Sequence, residues 1–490
     1  MHTTHPRKVK ILATLGPASA SPEGVRALIQ AGTDCFRLNA SHLKPPEIAP
    51  LVEMVRAAER EAGRPIAVVC DLAGPKLRVR KGTPTRTLNA GETIELSADP
   101  AVSAIPIEGF DPRHDSLPGS RILVKDGKVV LRVRELSSTG VRAVVERPGD
   151  VGGGMGVNLP DGETSLPSLT DHDRACASAA LEAGVDTLAL SFVRRPEDLE
   201  LLRAYMAACH VSVPVVAKLE KAQAVRPETL ARVLLASDIV MVARGDLGAE
   251  TAPEQVPVLQ KQILRTARCL GIPAITATEL LESMIREERP TRAEAADVAN
   301  AVFDGTDAVL LTAETAIGQH PALAVATCAS IIRQAEAHGE FGTSWSCPTQ
   351  LPESRDPVAD AVAMAAGRAA DQLDAAVLVC FTNSGRTARL VARHRPRTPI
   401  LALTPSWHVA RALGLVWGIT PHVCPEQPAD HEAVVHLVEH IARERGLVDD
   451  GELLVITHGA PMGAQSATNL LRAHRVGQAG APATAGTGME

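Results

Sequence analysis

Lys218 and Glu220 stand two residues apart in VVAKLE, so in an extended strand their side chains share one face. Asp246, in VMVARGDLGAE, follows the next strand-like run. Two carboxylates with open oxygen coordination suit Mg²⁺, with Mn²⁺ as a substitute, because such an ion keeps positions for water and substrate oxygens. An ammonium beside that ion is a poor ligand. It is well placed to neutralise negative charge growing on a transferred phosphoryl group or an enolate. Arg37, in DCFRLNAS, adds a planar fork matched to phosphate. Around Gly245 and Asp246 the ARGDLG turn offers backbone N–H groups at a helix start, a seat for a carboxylate or phosphate. Thr278 ends a further apolar run, where its hydroxyl can bond an anion or join a proton path. The same strand-end positions hold Thr14, Asn39, Ser41, Asp71, Ser191, Arg244 and Glu314. Any one of these could be a cap or a salt-bridged residue, but so dense a set points to a site.

Side chains so far apart along the chain meet only if the strand ends share a mouth. Eight short β-branched apolar runs end in a polar residue: KVKILATLG (8–16), DCFRLNAS (34–41), PIAVVCDL (65–72), DTLALSFV (186–193), VPVVAKLE (213–220), DIVMVARGD (238–246), PAITATE (273–279) and DAVLLTAE (307–314). All but one of the gaps are amphipathic and rich in Ala, Leu, Arg and Glu, the length of one helix returning the chain to a parallel strand. Eight such units predict an α/β fold of the (β/α)8 barrel type over 1–79 and 167–340, with an open doubly wound sheet as the alternative. The long exception, between Leu72 and Asp186, holds short alternating runs (TIELSA, RILVKDGKVVLRVREL, GVRAVVERPG) broken by Gly, Pro and Asp-Gly. It reads as a small β-barrel-like domain, 80–166, inserted at the barrel mouth as a lid. A polar linker, TSWSCPTQLPESRDP, leads to four further strands, AAVLVCFT (375–382), PILALTP (399–405), GITPHVC (418–424) and LLVITHG (453–459). These predict a C-terminal α/β open-sheet domain over 355–475, followed by a low-complexity tail, 476–490, expected to be disordered.

Composition narrows the partners. The 490 residues are 45% apolar and 22% charged, the balance of a soluble globular chain. No apolar run approaches the ~20 residues of a membrane span, and the first residues do not read as a secretory signal, so the expectation is a cytoplasmic protein with no membrane partner. Nine cysteines without a C-x-x-C pair indicate neither a disulfide framework nor a thiolate zinc site and read as small buried hydrophobes. A net charge of −7 without a basic stripe, and only six Phe, three Trp and one Tyr, argue against nucleic acid.

KILATLGPAS, FRLNASH, CDLAGPKLR, GVNLP, LSFVRR, VVAKLE, VMVARGDLGAE, ATELLESMI, PTRAEAADVANAVFDGTDAVLLTAETAIG and FTNSGRTARLVARHRPRTPILALT resemble, in order and over nearly the whole chain, the successive signatures of the pyruvate kinase family. The resemblance implies a barrel interrupted by a mobile β domain and followed by an α/β regulatory domain. It implies transfer of the phosphoryl group of phosphoenolpyruvate to ADP, giving pyruvate and ATP as the last step of glycolysis, by a homotetramer. Carried over by position, Lys218 resembles the lysine that stabilises the transfer and the enolate, and Glu220 and Asp246 the metal carboxylates. A second metal ion would arrive with the nucleotide. Arg37 resembles the phosphoenolpyruvate phosphate contact. Gly245, Asp246 and Thr278 match the short-helix region that receives the substrate carboxylate, and Thr278 with water is implied in protonating the enolate. Arg78 lies beside the phosphate-binding region, and Asp126, in VKDG, matches an inserted-domain residue of closure.

Several positions depart from the family pattern. In potassium-dependent members Asn39, Ser41, Asp71 and the carbonyl of residue 72 surround K⁺ with the help of an acidic residue. Here DLAGPKLR supplies Leu72 and Lys76, a tethered ammonium, so K⁺ is expected not to be required. Gly154 and Met155 stand where lysines often approach the nucleotide, and Lys221 and Glu279 where Asn and Gln are frequent. In the C-terminal domain, FTNSGRT has the strand, turn and helix order of a phosphate cradle. Thr382, Asn383, Ser384, Gly385, Arg386 and Thr387 resemble an effector loop, with a sugar monophosphate or AMP as the expected ligand and the segment 458–469 beside it. Two other readings remain open: a metal-dependent lyase or aldolase acting on pyruvate enolate, and a weakly catalytic metabolite-sensing protein.

Overall fold

A strand covered by helices outside and by its neighbours inside must be apolar along its length, and the eight barrel runs are. In the computed structural model they are β1 (Lys10–Thr14), β2 (Cys35–Asn39), β3 (Ala67–Asp71), β4 (Thr187–Leu190), β5 (Val215–Leu219), β6 (Ile239–Ala243), β7 (Ala274–Ala277) and β8 (Ala308–Leu311). All are buried throughout except at the last residue of β2. They close into a parallel barrel in chain order, so the doubly wound alternative is excluded. The structure describes residues 7–103, 105–125, 127–137, 139–162, 164–338, 356–425, 428, 431–459 and 468–477. Asp126, residues 343–355 of the polar linker, most of 458–469 and the 478–490 part of the tail lie outside them.

The helices begin where their sequences supply caps. In PTRAE, the Thr291 hydroxyl accepts the Glu294 N–H while the Glu294 carboxylate accepts the Thr291 N–H, a capping box worth about 0.5–2 kcal/mol. Glu294 also accepts the Ser283 N–H at 2.7 Å, tying this helix start to the loop after β7.

Between β3 and β4 the chain forms a second closed barrel of seven short strands around Val79, Leu96, Ile107, Ile122 and Leu131. The entry to it requires Gly74. Its φ is +70°, and a Cβ there would lie 2.8 Å from Cβ of Ser191. The C-terminal sheet has five strands: the four expected ones in parallel, and Thr468–Arg475 added antiparallel to Leu453–Gly459 at the edge. The chain divides into two compact units, one holding the barrel with its insert and the other the C-terminal sheet. Seven described cysteines are free, but Cys269 is disulfide-bonded. That corrects the reading of all nine as simple hydrophobes, since spacing along a chain does not disclose a pairing made by the fold. Among the described residues no helix is long and apolar enough to cross a membrane.

Candidate active site

The carboxyl ends of β2, β3 and β5 place an arginine, an aspartate and a lysine in one buried cluster. Arg37 reaches Asp71 Oδ2 through both Nε and Nη2 at 2.7 Å, and its Nη1 lies 3.3 Å from the Thr14 hydroxyl. Lys218 Nζ lies 3.2 Å from Asp71 Oδ1 and 2.9 Å from Glu220 Oε1, and donates to Ser191 Oγ at 2.7 Å. Ser191 in turn donates to the Leu72 carbonyl at 2.7 Å. Glu220 Oε2 accepts the Phe192 N–H at 2.7 Å, which pins the carboxylate to the loop after β4.

Opposite charges decide the protonation states. Burial alone would raise the Asp71 carboxyl, but the Lys218 ammonium and the Arg37 guanidinium outweigh it and hold it below the usual carboxylate range. Burial alone would lower Lys218, yet Asp71 and Glu220 carry it above the usual ammonium value. Glu220 goes the other way. Burial pushes it up against the pull of Lys218, and Asp246 adds to the push.

Asp246 sits one turn further than a strand end, in the short helix Arg244–Glu250 that leaves β6. Its Oδ1 accepts from Lys76 Nζ at 2.6 Å. The sequence reading assigned Lys76 to the neighbourhood of Asn39, Ser41 and Asp71, and the ion pair with Asp246 is a contact it did not foresee. Lys76 reaches there because Gly156 has no side chain, a Cβ at that residue falling 2.9 Å from Lys76 Cε. The ammonium also lies 5.8 Å from the centroid of the Phe192 ring.

Thr278 follows β7 with φ +68°, and Glu279 has φ +54°. The Thr278 hydroxyl accepts the Gly245 N–H at 2.9 Å. Arg244 holds this strained turn by donating to the Thr278 and Glu279 carbonyls, and is itself paired with Asp297 at 2.8 Å. Glu314, by contrast, accepts the Leu281 and Thr312 N–H groups and is a loop anchor. Arg78 is exposed and donates to the Gly154 carbonyl at 3.2 Å. Asn39 accepts the Ser41 N–H at 3.2 Å.

Sequence reasoning missed a second buried pair. Lys221 Nζ lies 2.7 Å from Glu250 Oε1, which also accepts Asn158 Nδ2 at 2.9 Å, while Glu250 Oε2 has no hydrogen-bond partner. Asn158, in GVNLP, ends the last strand of the insert, so this triad ties the insert to the helix bearing Asp246. The motifs carried the signal, but only the fold pairs them. Lys221→Met is expected to destabilise the unit by about 3–5 kcal/mol, because it leaves a buried carboxylate uncompensated. A lowered denaturant midpoint, largely restored in Lys221→Met/Glu250→Gln, checks this.

In the C-terminal loop the Thr382 hydroxyl accepts the Gly385 N–H at 3.0 Å, and Thr387 shares a 2.7 Å hydrogen bond with Thr468. Asn383, Ser384 and Arg386 are exposed, and Arg386 lies 3.5 Å from Asp356.

The donor chemistry fits Mg²⁺. Glu220 and Asp246 are hard oxygen donors whose charge the neighbouring Lys218 and Lys76 ammoniums balance. Among the described residues no group of three or more His, Cys, Asp or Glu could hold a metal by itself.

Ammonium, guanidinium and carboxylate groups thus gather at the mouth of a (β/α)8 barrel with a β-barrel insert after its third strand, a set able to stabilise negative charge on a transferred phosphoryl group. Residues 6–325 match the pyruvate kinase barrel domain and residues 360–474 the pyruvate kinase alpha/beta domain. Pyruvate kinase 2 of Synechocystis is 40% identical over 482 residues, covering 95% of this chain and 79% of its own length. The pyruvate kinase of Corynebacterium glutamicum is 40% identical, covering 96% of this chain and 98% of its own length. That of Mycobacterium tuberculosis is 39% identical, with coverage of 96% and 99%. The chain belongs to the pyruvate kinase family, phosphotransferases that use Mg²⁺ and act on phosphoenolpyruvate and ADP.

Proposed function

We propose that the Lys218 cluster is where this chain moves the phosphoryl group from phosphoenolpyruvate to ADP. The observation that carries the assignment is the position of the Lys218 ammonium, in contact with Asp71, Glu220 and Ser191 beside the Arg37 fork. Glu220 and Asp246 would hold Mg²⁺, which when bound supplies Lewis-acid charge to the oxygens of the phosphoryl group and enolate. Arg37 binds the phosphate, held in direction by Asp71. Lys218, kept charged by its carboxylates, stabilises the equatorial oxygens during transfer and then the enolate oxygen. The start of the Arg244–Glu250 helix receives the substrate carboxylate through N–H groups other than that of Gly245, and the Thr278 hydroxyl, which accepts the Gly245 N–H, orients the water that protonates the enolate. Arg78 approaches the nucleotide, and closure of the insert, with Asp126 contributing, excludes water. The test is a lactate-dehydrogenase-coupled assay with phosphoenolpyruvate, in which pyruvate forms only when ADP is added. Pyruvate release without ADP would mark a lyase, and no release an effector-sensing protein.

Turnover without K⁺ is part of the proposal. Both Asp71 oxygens face protein cations, and the Leu72 carbonyl and the Asn39 amide oxygen each already accept a hydrogen bond, from the Ser191 hydroxyl and the Ser41 N–H, so K⁺ would have to compete for these oxygens. Lys76 adds fixed positive charge at Asp246. Initial rates in sodium, potassium and tetramethylammonium buffers should agree within about twofold, and a stimulation by potassium of tenfold or more contradicts the reading. A homotetramer in the cytoplasm, with a sugar monophosphate or AMP on the exposed Asn383, Ser384 and Arg386, completes the proposal.

A further inference from the structure

The loops leaving β4 and β5 carry a second concentration of positive charge, outside the Lys218 cluster. A cavity of about 330 Å³ there is lined by Arg194, Arg195, Arg226 and Arg232, with Thr229 and a single carboxylate, Glu197, among its other walls. The sequence builds it by placing an arginine pair just after β4, in SFVRRPED, and a third arginine just before the helix Pro227–Ala236, whose second turn carries the fourth.

The four guanidinium groups are held differently. Arg194 is largely buried and fixed, donating to Asp198, to the Thr164 carbonyl at 3.0 Å and to the Ser168 hydroxyl at 2.7 Å. It forms a rigid wall. Arg195 comes no closer than 4.0 Å to Asp198, whose charge Arg194 already balances. Arg232 has Glu197 at 3.6 Å, but the two side chains are 66% and 56% exposed, and a pair so open to water contributes little. Among the described residues neither the Arg226 guanidinium nor the Thr229 hydroxyl has a protein partner. Three loosely held cations therefore border one hollow in a chain whose net charge is −7. Their mutual repulsion is relieved by an anion in the hollow, and the guanidinium fork matches phosphate oxygens. The volume is that of a small-molecule site.

We propose that this cavity binds a small phosphorylated metabolite, separately from phosphoenolpyruvate and from the loop at 382–387. The inference does not depend on the roles assigned to Lys218, Glu220 and Asp246. Isothermal titration of the full-length protein, with phosphoenolpyruvate and ADP both omitted so that no phosphate ester competes for the cavity, tests it with two probes, inorganic phosphate and 2,3-bisphosphoglycerate. Binding of at least one probe is expected, weakened tenfold or more in Arg226→Glu/Arg232→Glu and unchanged within twofold in Arg386→Glu. Preference for the bisphosphate shows that the rest of a phosphate ester is recognised, and comparable binding of both probes shows that the cavity reads the phosphoryl group alone. Both substituted arginines are exposed, so the double variant should keep its turnover; should it fold poorly, Arg226→Gln/Arg232→Gln serves in its place. The proposal is overturned if neither probe binds, if the affinity is equal in wild type and the double variant, or if binding is lost only in Arg386→Glu.

Discussion

Lys218→Met is expected to lower kcat for pyruvate formation about a thousandfold while leaving Mn²⁺ affinity within about threefold. The methionine keeps most of the stem's volume and removes the charge. In the folded protein that charge lies 2.9 Å from Glu220 and 3.2 Å from Asp71, whose fields hold the ammonium protonated above its usual range, so it is present throughout the working pH of an enzyme. An ammonium held there acts where negative charge develops, on the phosphoryl oxygens and then on the enolate. Its loss therefore lowers kcat and kcat/KM together, leaving KM little changed. Glu220 and Asp246 remain to hold the metal, and Arg37 still pairs with Asp71 at 2.7 Å, so the buried aspartate is not stranded. A coupled assay with phosphoenolpyruvate and ADP, alongside a thermal melt, separates loss of chemistry from loss of fold.

Glu220→Gln should reduce turnover at millimolar Mg²⁺ about a hundredfold or more, since the metal supplies several kcal/mol of charge stabilisation. Unlike the lysine variant, it should recover partly as Mg²⁺ is raised, because the defect is in affinity. The glutamine carbonyl can still accept the Phe192 N–H that the carboxylate accepts at 2.7 Å, so the loop after β4 keeps its anchor. What disappears is the negative charge that faces both Lys218 and a cation. An Mg²⁺ titration of the initial rate checks this, and a low rate that no Mg²⁺ concentration improves would place Glu220 outside the metal's reach.

Much of this architecture is written plainly in the residues. A barrel strand buried on both faces must be β-branched and apolar from end to end, so AVVCD, VVAKL and IVMVA announce themselves, and the polar residue closing each run marks the mouth. The insert is less legible. Strands such as Leu77–Val79, Arg86–Leu88 and Gly156–Asn158 are three residues long, too short for a period to register. The edge strand Thr468–Arg475 mixes arginine and histidine with leucine because, among the described residues, one side of it has no neighbouring strand, so it carries no apolar run to read. At the candidate site, residue types and strand-end positions could be read, but partners could not. Arg37 and Asp71 are 34 positions apart and Lys76 and Asp246 are 170, and no spacing rule spans such intervals. The left-handed backbone at Phe192, Thr278 and Glu279 was equally hidden, since none of these residue types favours it.

The central claim is that Glu220 and Asp246 together hold one divalent ion next to Lys218. Electron paramagnetic resonance of Mn²⁺ titrated into the full-length protein measures it directly. One bound Mn²⁺ per chain is predicted in the wild type and in Lys218→Met, and binding at least a hundredfold weaker in Glu220→Gln/Asp246→Asn. Equal binding by the wild type and that double variant would contradict the account.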